Sequence, residues 1–141
     1  MTKFYKIETK NKKSIYEYST YEDKEKGISF QTEEMYRWGY VVIKVEDDEE
    51  LSDKIGDPVD EYNEVEFGSY DFEDSDVDDQ CSFYFTNVKG IDNEKLEEDF
   101  EASGYDYEWL RDNYGEPDDF YKVFHGPLKV TDVTDDYIKW V

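Results

Sequence analysis

The chain has 141 residues and a formal net charge of −23 at pH 7, with 39 acidic against 16 basic side chains. Anionic membranes and nucleic acid repel a surface this negative, so we exclude direct binding to either. The length is that of one domain, in which an aromatic content of 18% offsets a hydrophobic content of only 37%.

The negative charge is concentrated in one part of the chain. Residues 1–45 hold nine basic and seven acidic side chains, whereas residues 46–141 hold seven basic and thirty-two acidic ones. Between Ile55 and Val88 there is no lysine or arginine, yet eleven carboxylates lie there. We therefore divide the domain, 1–141, into a slightly basic β part and a strongly acidic part.

The slightly basic part alternates apolar and polar residues, as strands do. Phe4–Glu8 and Ser14–Thr20 predict the two strands of a hairpin around a polar turn. Ile28–Gln31 predicts another short strand. Met35–Val45 predicts a central strand, because the run Tyr40–Ile43 is apolar on both faces.

The next segment predicts one helix and one strand. Asp47–Ile55 favours a short helix, since acidic residues fill its first turn and glycine follows it. Glu61–Phe67 alternates as a strand with its acids outward. After Gly68 the alternation slips by one residue, which predicts a bulge and turns Tyr70 and Phe72 inward.

The remaining residues mix helices and strands. Asp74–Asp79 predicts a polar turn, followed by a strand at Gln80–Val88. Helices are predicted at Asp92–Ser103, buried through Leu96 and Phe100, and at Asp106–Tyr114, buried through Trp109 and Leu110. Three short strands are predicted at Phe120–Phe124, Leu128–Val133 and Tyr137–Val141. Together these elements predict an α+β fold, a single small domain with a mainly antiparallel sheet and two or three short helices.

The sequence predicts neither a secretory signal nor a membrane-spanning segment. The N-terminus lacks the apolar stretch of a secretory signal, and no apolar run is long enough to cross a bilayer. The lone Cys81 excludes an internal disulfide and suits a reducing compartment. We expect a cytoplasmic protein; its residue usage is typical of an AT-rich genome, and a phage protein would act in the host cytoplasm.

Outward acids form rows in two predicted elements. Glu64 and Glu66 would lie roughly 6.6 Å apart on a strand, a spacing similar to that of neighbouring phosphates. In the longer helix, four glutamates follow the i, i+3, i+4, i+7 rule opposite Leu96 and Phe100. Like charges four residues apart cost a few tenths of a kcal/mol, so folding alone would not select them. The predicted partner-binding residues are Asp60, Glu64, Glu66, Asp71, Glu73, Asp74, Asp76, Asp78, Asp79, Glu94, Glu97, Glu98 and Glu101.

This arrangement resembles the DNA-mimic proteins with which phages and some bacteria occupy the nucleic-acid site of basic proteins. The resemblance is one of physical character and rests on no sequence motif. It implies a non-enzymatic inhibitor whose carboxylates replace phosphates against the lysines and arginines of a basic nucleic-acid-binding protein. Tyrosines beside the acids would supply contact area; they are Tyr62, Tyr70, Tyr105 and Tyr107.

Three alternatives remain open from the sequence. The acids could serve only the solubility of another protein-interaction module. The N-terminal lysines of one copy could dock on the acidic face of another, which would give a self-associating structural protein or homodimer. The cluster around Asp74, Asp76 and Asp78 could bind divalent cations weakly.

Motifs for catalysis are lacking. The sequence contains no nucleophile elbow, P-loop or dinucleotide fingerprint, and with only His125 and Cys81 a closed zinc site is excluded. Asp74 begins a D-x-D-x-D pattern, but Asp79 stands where a calcium loop needs glycine and Phe85 where it needs glutamate. We therefore predict no enzyme, no metal site and no cofactor, and expect Cys81 to be a buried strand residue and His125 an exposed or capping residue at a turn.

Overall fold

The fold is dominated by one sheet of seven strands, with four short helices added to it. The structure is a computed structural model that describes the backbone of residues 2–138 and the side chains of residues 2–137. Its elements are β1 (Lys3–Thr9), β2 (Ile15–Asp23), β3 (Ile28–Val45), α1 (Leu51–Ile55), β4 (Glu64–Gly68), β5 (Asp74–Lys89), α2 (Asn93–Ala102), α3 (Tyr107–Tyr114), β6 (Asp119–His125), β7 (Leu128–Asp132) and α4 (Thr134–Ile138). Each strand pairing in the described residues is antiparallel. The α+β prediction is thus met in its coarse form, a small domain built on a mostly antiparallel sheet.

The long strand β3 organises the sheet. Its first half pairs with β2 and its second half with β1, while β5 pairs along the opposite edge of both halves. Strands β6 and β7 lie beside β2 and β1 respectively, and β4 lies beyond β6. The predicted hairpin of β1 and β2 is therefore wrong: the two strands follow one another along the same edge of β3 and do not pair.

β3 passes from its pairing with β2 to its pairing with β1 between Tyr36 and Tyr40. Gly39 lies at this point, and a β carbon placed on it would come within 2.7 Å of the carbonyl oxygen of Asp76. The absence of a side chain thus lets β3 and β5 approach closely at this position.

Two hydrophobic cores form on the inner face of the sheet. The first core joins both halves and is mostly aliphatic; its members are Ile7, Ile15, Val41, Ile43, Val45, Ile55, Val65, Phe67, Phe124 and Leu128. The second core lies under α2 and α3 and is mostly aromatic; its members are Tyr21, Phe30, Phe85, Leu96, Phe100 and Leu110. Its rings meet at short range, as when Phe83 stacks on Phe100 at 5.0 Å between centroids. The aromatic richness of the sequence therefore serves mainly the second core.

Both longer helices occur where the sequence predicts them. Asp92 and Asp106 cap them, each side chain accepting a hydrogen bond from the backbone N–H two residues on. Leu96, Phe100 and Leu110 are buried, as the spacing predicts. No described helix is long and apolar enough to cross a membrane.

Other predicted elements are corrected by the structure. Residues 74–79 are the first part of β5 and not a turn, because they pair with β3. The inward turn of Tyr70 is wrong, since this side chain is fully exposed, whereas Phe72 packs against the first core. Tyr137 lies in α4 and not in a strand, and residues 139–141 of that predicted strand are outside the described residues.

Candidate partner-binding surfaces

All thirteen predicted partner-binding acids are exposed. One of them meets a cation: Asp79 lies 3.1 Å from Nε of Arg37. Glu64 lies 3.9 Å from Nδ1 of His125. Within residues 2–137 the other eleven form no ion pair. Most of this charge is thus directed at solvent and is not neutralised by the slightly basic N-terminal part.

Three of these acids form a row on the first part of β5, which we call the β5 stripe: Asp74, Asp76 and Asp78. Alternate residues of a strand point to the same face roughly 6.6 Å apart. Each carboxylate is fixed, because its Oδ1 accepts a hydrogen bond of 2.9 Å from the N–H of the following residue. The stripe is therefore a row of oriented anions on a paired strand.

The same hydrogen bonds protect an open edge of the sheet. The carbonyl of Val42 accepts from Glu73, so β3 turns its even-numbered backbone groups toward β5. The N–H groups of Ser75, Val77 and Asp79 consequently point away from β3, where no described strand pairs with them. The stripe occupies these three donors, and charged side chains are a known means of blunting an edge strand.

The D-x-D-x-D pattern lies on this paired strand and does not form a calcium-binding loop. An extended, paired strand directs alternate carboxylates along a line and cannot wrap them around one ion. Among the described residues, no group of three or more histidine, cysteine or acidic side chains could hold a metal ion.

Aromatic side chains flank the β5 stripe on the same face. The hydroxyls of Tyr40 and Tyr137 donate to Oδ2 of Asp74 over 3.5 and 3.3 Å. Desolvation and the Asp74 carboxylate raise the pKa of both tyrosines. Trp38, opposite Asp78, is 46% exposed. A partner would therefore meet anions next to rigid amphipathic rings.

The second row of acids lies on α2. Glu94, Glu97, Glu98 and Glu101 are exposed, while Leu96 and Phe100 of the same helix enter the second core. Among the described residues no lysine or arginine pairs with these glutamates. The row is thus the solvent face of a helix whose other face holds it on the sheet.

The acids of β4 lie on the other side of the sheet from α2. Glu64 and Glu66 alternate with Val65 and Phe67, which enter the first core from the inner face. Because α2 covers that inner face, the two sets point in opposite directions. Asp60, Asp71 and Glu73 lie in the connections before and after β4. The structure does not bring all thirteen residues to one surface.

The tyrosines named from the sequence are also exposed, to different extents. Tyr62 is 85% exposed and Tyr105 63%. Tyr107 also contributes to the packing of the domain. Its ring lies against Phe83, and its hydroxyl accepts a hydrogen bond from the side chain of Gln80. Burial raises its pKa to about 12.

Sequence patterns alone do not reveal a row of ionisable side chains on the inner face. Lys122, Glu17 and Glu34 are successive cross-strand neighbours on β6, β2 and β3. We call them the inner ladder; Lys122 is only 3% exposed and its Nζ forms an ion pair with Oε1 of Glu17. The Tyr36 hydroxyl donates to Glu34, whose pKa is raised mainly by burial. The sequence gives one indication of this row: Glu17 follows Ile15 by two residues, so the two side chains lie on the same face of β2.

His125 is the last residue of β6 and only partly exposed, so its predicted position in a turn is wrong. The ring of His125 contacts Tyr16 edge-on with centroids 5.0 Å apart, at the end of β6. Cys81 is partly exposed on β5, with its Sγ 3.4 Å from the carbonyl of Asp79, so the predicted burial is incomplete.

We compared the chain with known protein families, curated proteins and solved structures. No model of a protein family, no curated protein and no solved structure matches it.

Proposed function

We propose that this protein is a non-enzymatic acidic inhibitor that occupies the nucleic-acid site of a basic protein. Its carboxylates would take the places of phosphates against lysine and arginine side chains. A phage origin, action in the cytoplasm of a host and the DNA-mimic mode of binding are parts of the same proposal.

The observation that supports it most is the combination of exposure and fixed direction in the acids. Eleven of the thirteen predicted acids form no ion pair among the described residues, and the β5 stripe is held by hydrogen bonds to its own strand. Fixed carboxylates lose little conformational freedom on binding, which favours affinity. Since the acids of β4 and α2 face opposite ways, we assign the primary contact to the β5 stripe with its flanking aromatics, and a separate contact to the α2 row.

The proposed binding is competitive and electrostatic. Association would be steered by the net charge and weakened steeply by salt, as protein binding to phosphate is. Duplex DNA should therefore displace the inhibitor from its target, and the inhibitor should displace DNA.

The experiment is affinity capture at low salt, followed by elution with a salt gradient and with duplex DNA. We expect captured proteins to bind DNA themselves, to elute with DNA, and to be lost with the triple variant Asp74→Asn, Asp76→Asn, Asp78→Asn. Asparagine keeps the oxygen that accepts the edge N–H, so this variant removes charge and preserves the strand.

The matched control removes the same charge elsewhere. Asp48, Asp53 and Asp112 are exposed and lie outside the proposed surfaces; their asparagine variants should retain the partner. If both triple variants bind equally well, net charge and not the β5 stripe governs binding. If no captured protein is displaced by DNA, the proposal of mimicry is wrong.

A further inference from the structure

The outer edge of β5 differs between its two halves. In the first half the β5 stripe occupies the outward N–H groups, as described above. In the second half, Cys81–Val88, none of the described hydrogen bonds outside the pairing with β3 occupies the backbone groups. Hydrogen bonds from side chains therefore protect this edge only in its first half, while the second half is regular only over Ser82–Thr86, between two register shifts.

The unprotected half is also the part of the chain where charge disappears. Cys81–Val88 contains eight residues and no charged side chain, in a chain that is 39% charged. Phenylalanine, tyrosine, threonine and valine dominate it, and these residues favour strands. An uncharged open edge of high strand propensity is the type of segment that pairs with another strand.

From this edge we infer that the protein forms a two-fold symmetric dimer in which β5 of one copy pairs antiparallel with β5 of a second copy, centred on Tyr84. The dimer would join the two sheets into one. This inference is independent of the proposed function, because it uses the uncharged part of β5 and not the acidic surfaces.

The register about Tyr84 is self-complementary. With Tyr84 on the two-fold axis, Ser82 of one copy lies opposite Thr86 of the other. The register shifts of β5 between Gln80 and Ser82 and between Thr86 and Lys89 end the regular pairing on either side of this segment. Tyr84 is 59% exposed in the single chain, and the two Tyr84 rings would cover one another as a cross-strand aromatic pair.

The β5 stripe explains why the pairing between two copies would not extend into residues 74–79. A register that extended the contact toward the β5 stripe would bring Asp76 and Asp78 of both copies close together, and like charges across strands are destabilising. A basic partner, in contrast, would find no charge on Cys81–Val88. The second copy is thus the occupant that this edge favours.

The test is the molar mass in solution by sedimentation, from micromolar to millimolar protein, at low and high salt. One chain has a mass of 16.9 kDa, so we expect the mass to double with rising concentration. Salt should strengthen the dimer, because it screens the repulsion between two strongly negative chains. This dependence is opposite to that of the proposed partner binding, so failure of one is separable from failure of the other.

Substitutions at Tyr84 identify the surface. Tyr84→Lys places two like charges on the axis and should weaken dimerisation at least tenfold, whereas Tyr84→Phe should preserve it. Tyr62→Lys is the control, since Tyr62 is exposed on a connection away from β5. Circular dichroism checks that each variant keeps its fold.

Hydrogen exchange gives a readout that needs no substitution. Alternate amides of Cys81–Val88 should exchange more slowly as the protein concentration rises. A chain that stays monomeric at millimolar concentration in high salt, or a Tyr84→Lys variant that dimerises as well as the parent, would overturn the inference.

Discussion

Glu34 is the residue whose chemistry departs most from that of the acidic surface. It lies on the inner face of β3, next to Glu17 on the neighbouring strand β2, and Lys122 follows Glu17 on β6. The hydroxyls of Tyr36 and Tyr107 face its carboxyl group. Burial raises its pKa above the ordinary value of 4.5, although both hydroxyls and Lys122 act in the opposite direction. A raised pKa in the folded state means that folding favours the protonated form.

The pH dependence follows from this direction. Glu34 contributes stability that is fully present below about pH 4.5, its value in the unfolded chain, and lost as pH rises through its higher folded pKa. Glu34→Gln stays neutral, so its free energy of unfolding relative to the parent should rise as the pH increases above 4.5 and level off above the folded pKa of Glu34. Each pH unit between the two pKa values is worth about 1.4 kcal/mol.

Urea denaturation at a series of pH values measures this difference. Glu25→Gln is the matched control, because it removes the same charge from an exposed turn. A constant difference between Glu34→Gln and the parent over this pH range would contradict the prediction.

Residue by residue, the sequence predicted best where alternation or helical spacing leads directly to burial. Val65, Phe67, Leu96 and Phe100 are buried as their patterns indicate. The position of Glu34 could not be foreseen, because a glutamate is expected to face solvent unless the cross-strand register is known, and register depends on residues far away in the chain.

At the scale of elements, β5 shows how tertiary pairing overrides local preference. Aspartate is disfavoured in strands, so residues 74–79 predict a turn. Pairing with the second half of β3 makes them extended instead, and their carboxylates then cap the edge. Tertiary pairing also decides the partners of β1 and β2. Their local sequence predicts a hairpin, but each of them pairs with β3 instead.

This role of the β5 stripe can be tested by separating charge from capping. Replacing all three aspartates by alanine frees the N–H groups of Ser75, Val77 and Asp79, whereas replacement by asparagine removes the same charge and keeps an acceptor. We expect the alanine variant to aggregate faster and the asparagine variant to behave like the parent.

Light scattering during incubation at constant ionic strength gives the rates. Equal aggregation of both variants would show that the aspartates protect the edge by charge alone.

For the whole molecule, repulsion among the 39 acidic side chains outweighs the attraction that 16 basic side chains can supply. Net charge this far from zero destabilises a compact state. Raising NaCl from 0.01 M to 1 M shortens the Debye length from about 30 Å to about 3 Å. The melting temperature should therefore rise by several degrees over this range.

Calorimetry across the salt series checks this prediction. A variant with Glu94, Glu97, Glu98 and Glu101 all replaced by glutamine should melt higher at low salt and gain less from added salt. A melting temperature that falls as NaCl increases would show that attractive ion pairs, such as that between Arg37 and Asp79, outweigh the repulsion.

Strand β3 supplies side chains to both hydrophobic cores, Val41 and Ile43 to the first and Phe30 to the second. Any opening that peels β3 from its neighbours must disrupt both interiors together. Neither half can then melt while the other persists, and heat or denaturant should produce a single all-or-none transition, with one midpoint for tryptophan fluorescence and for backbone dichroism alike.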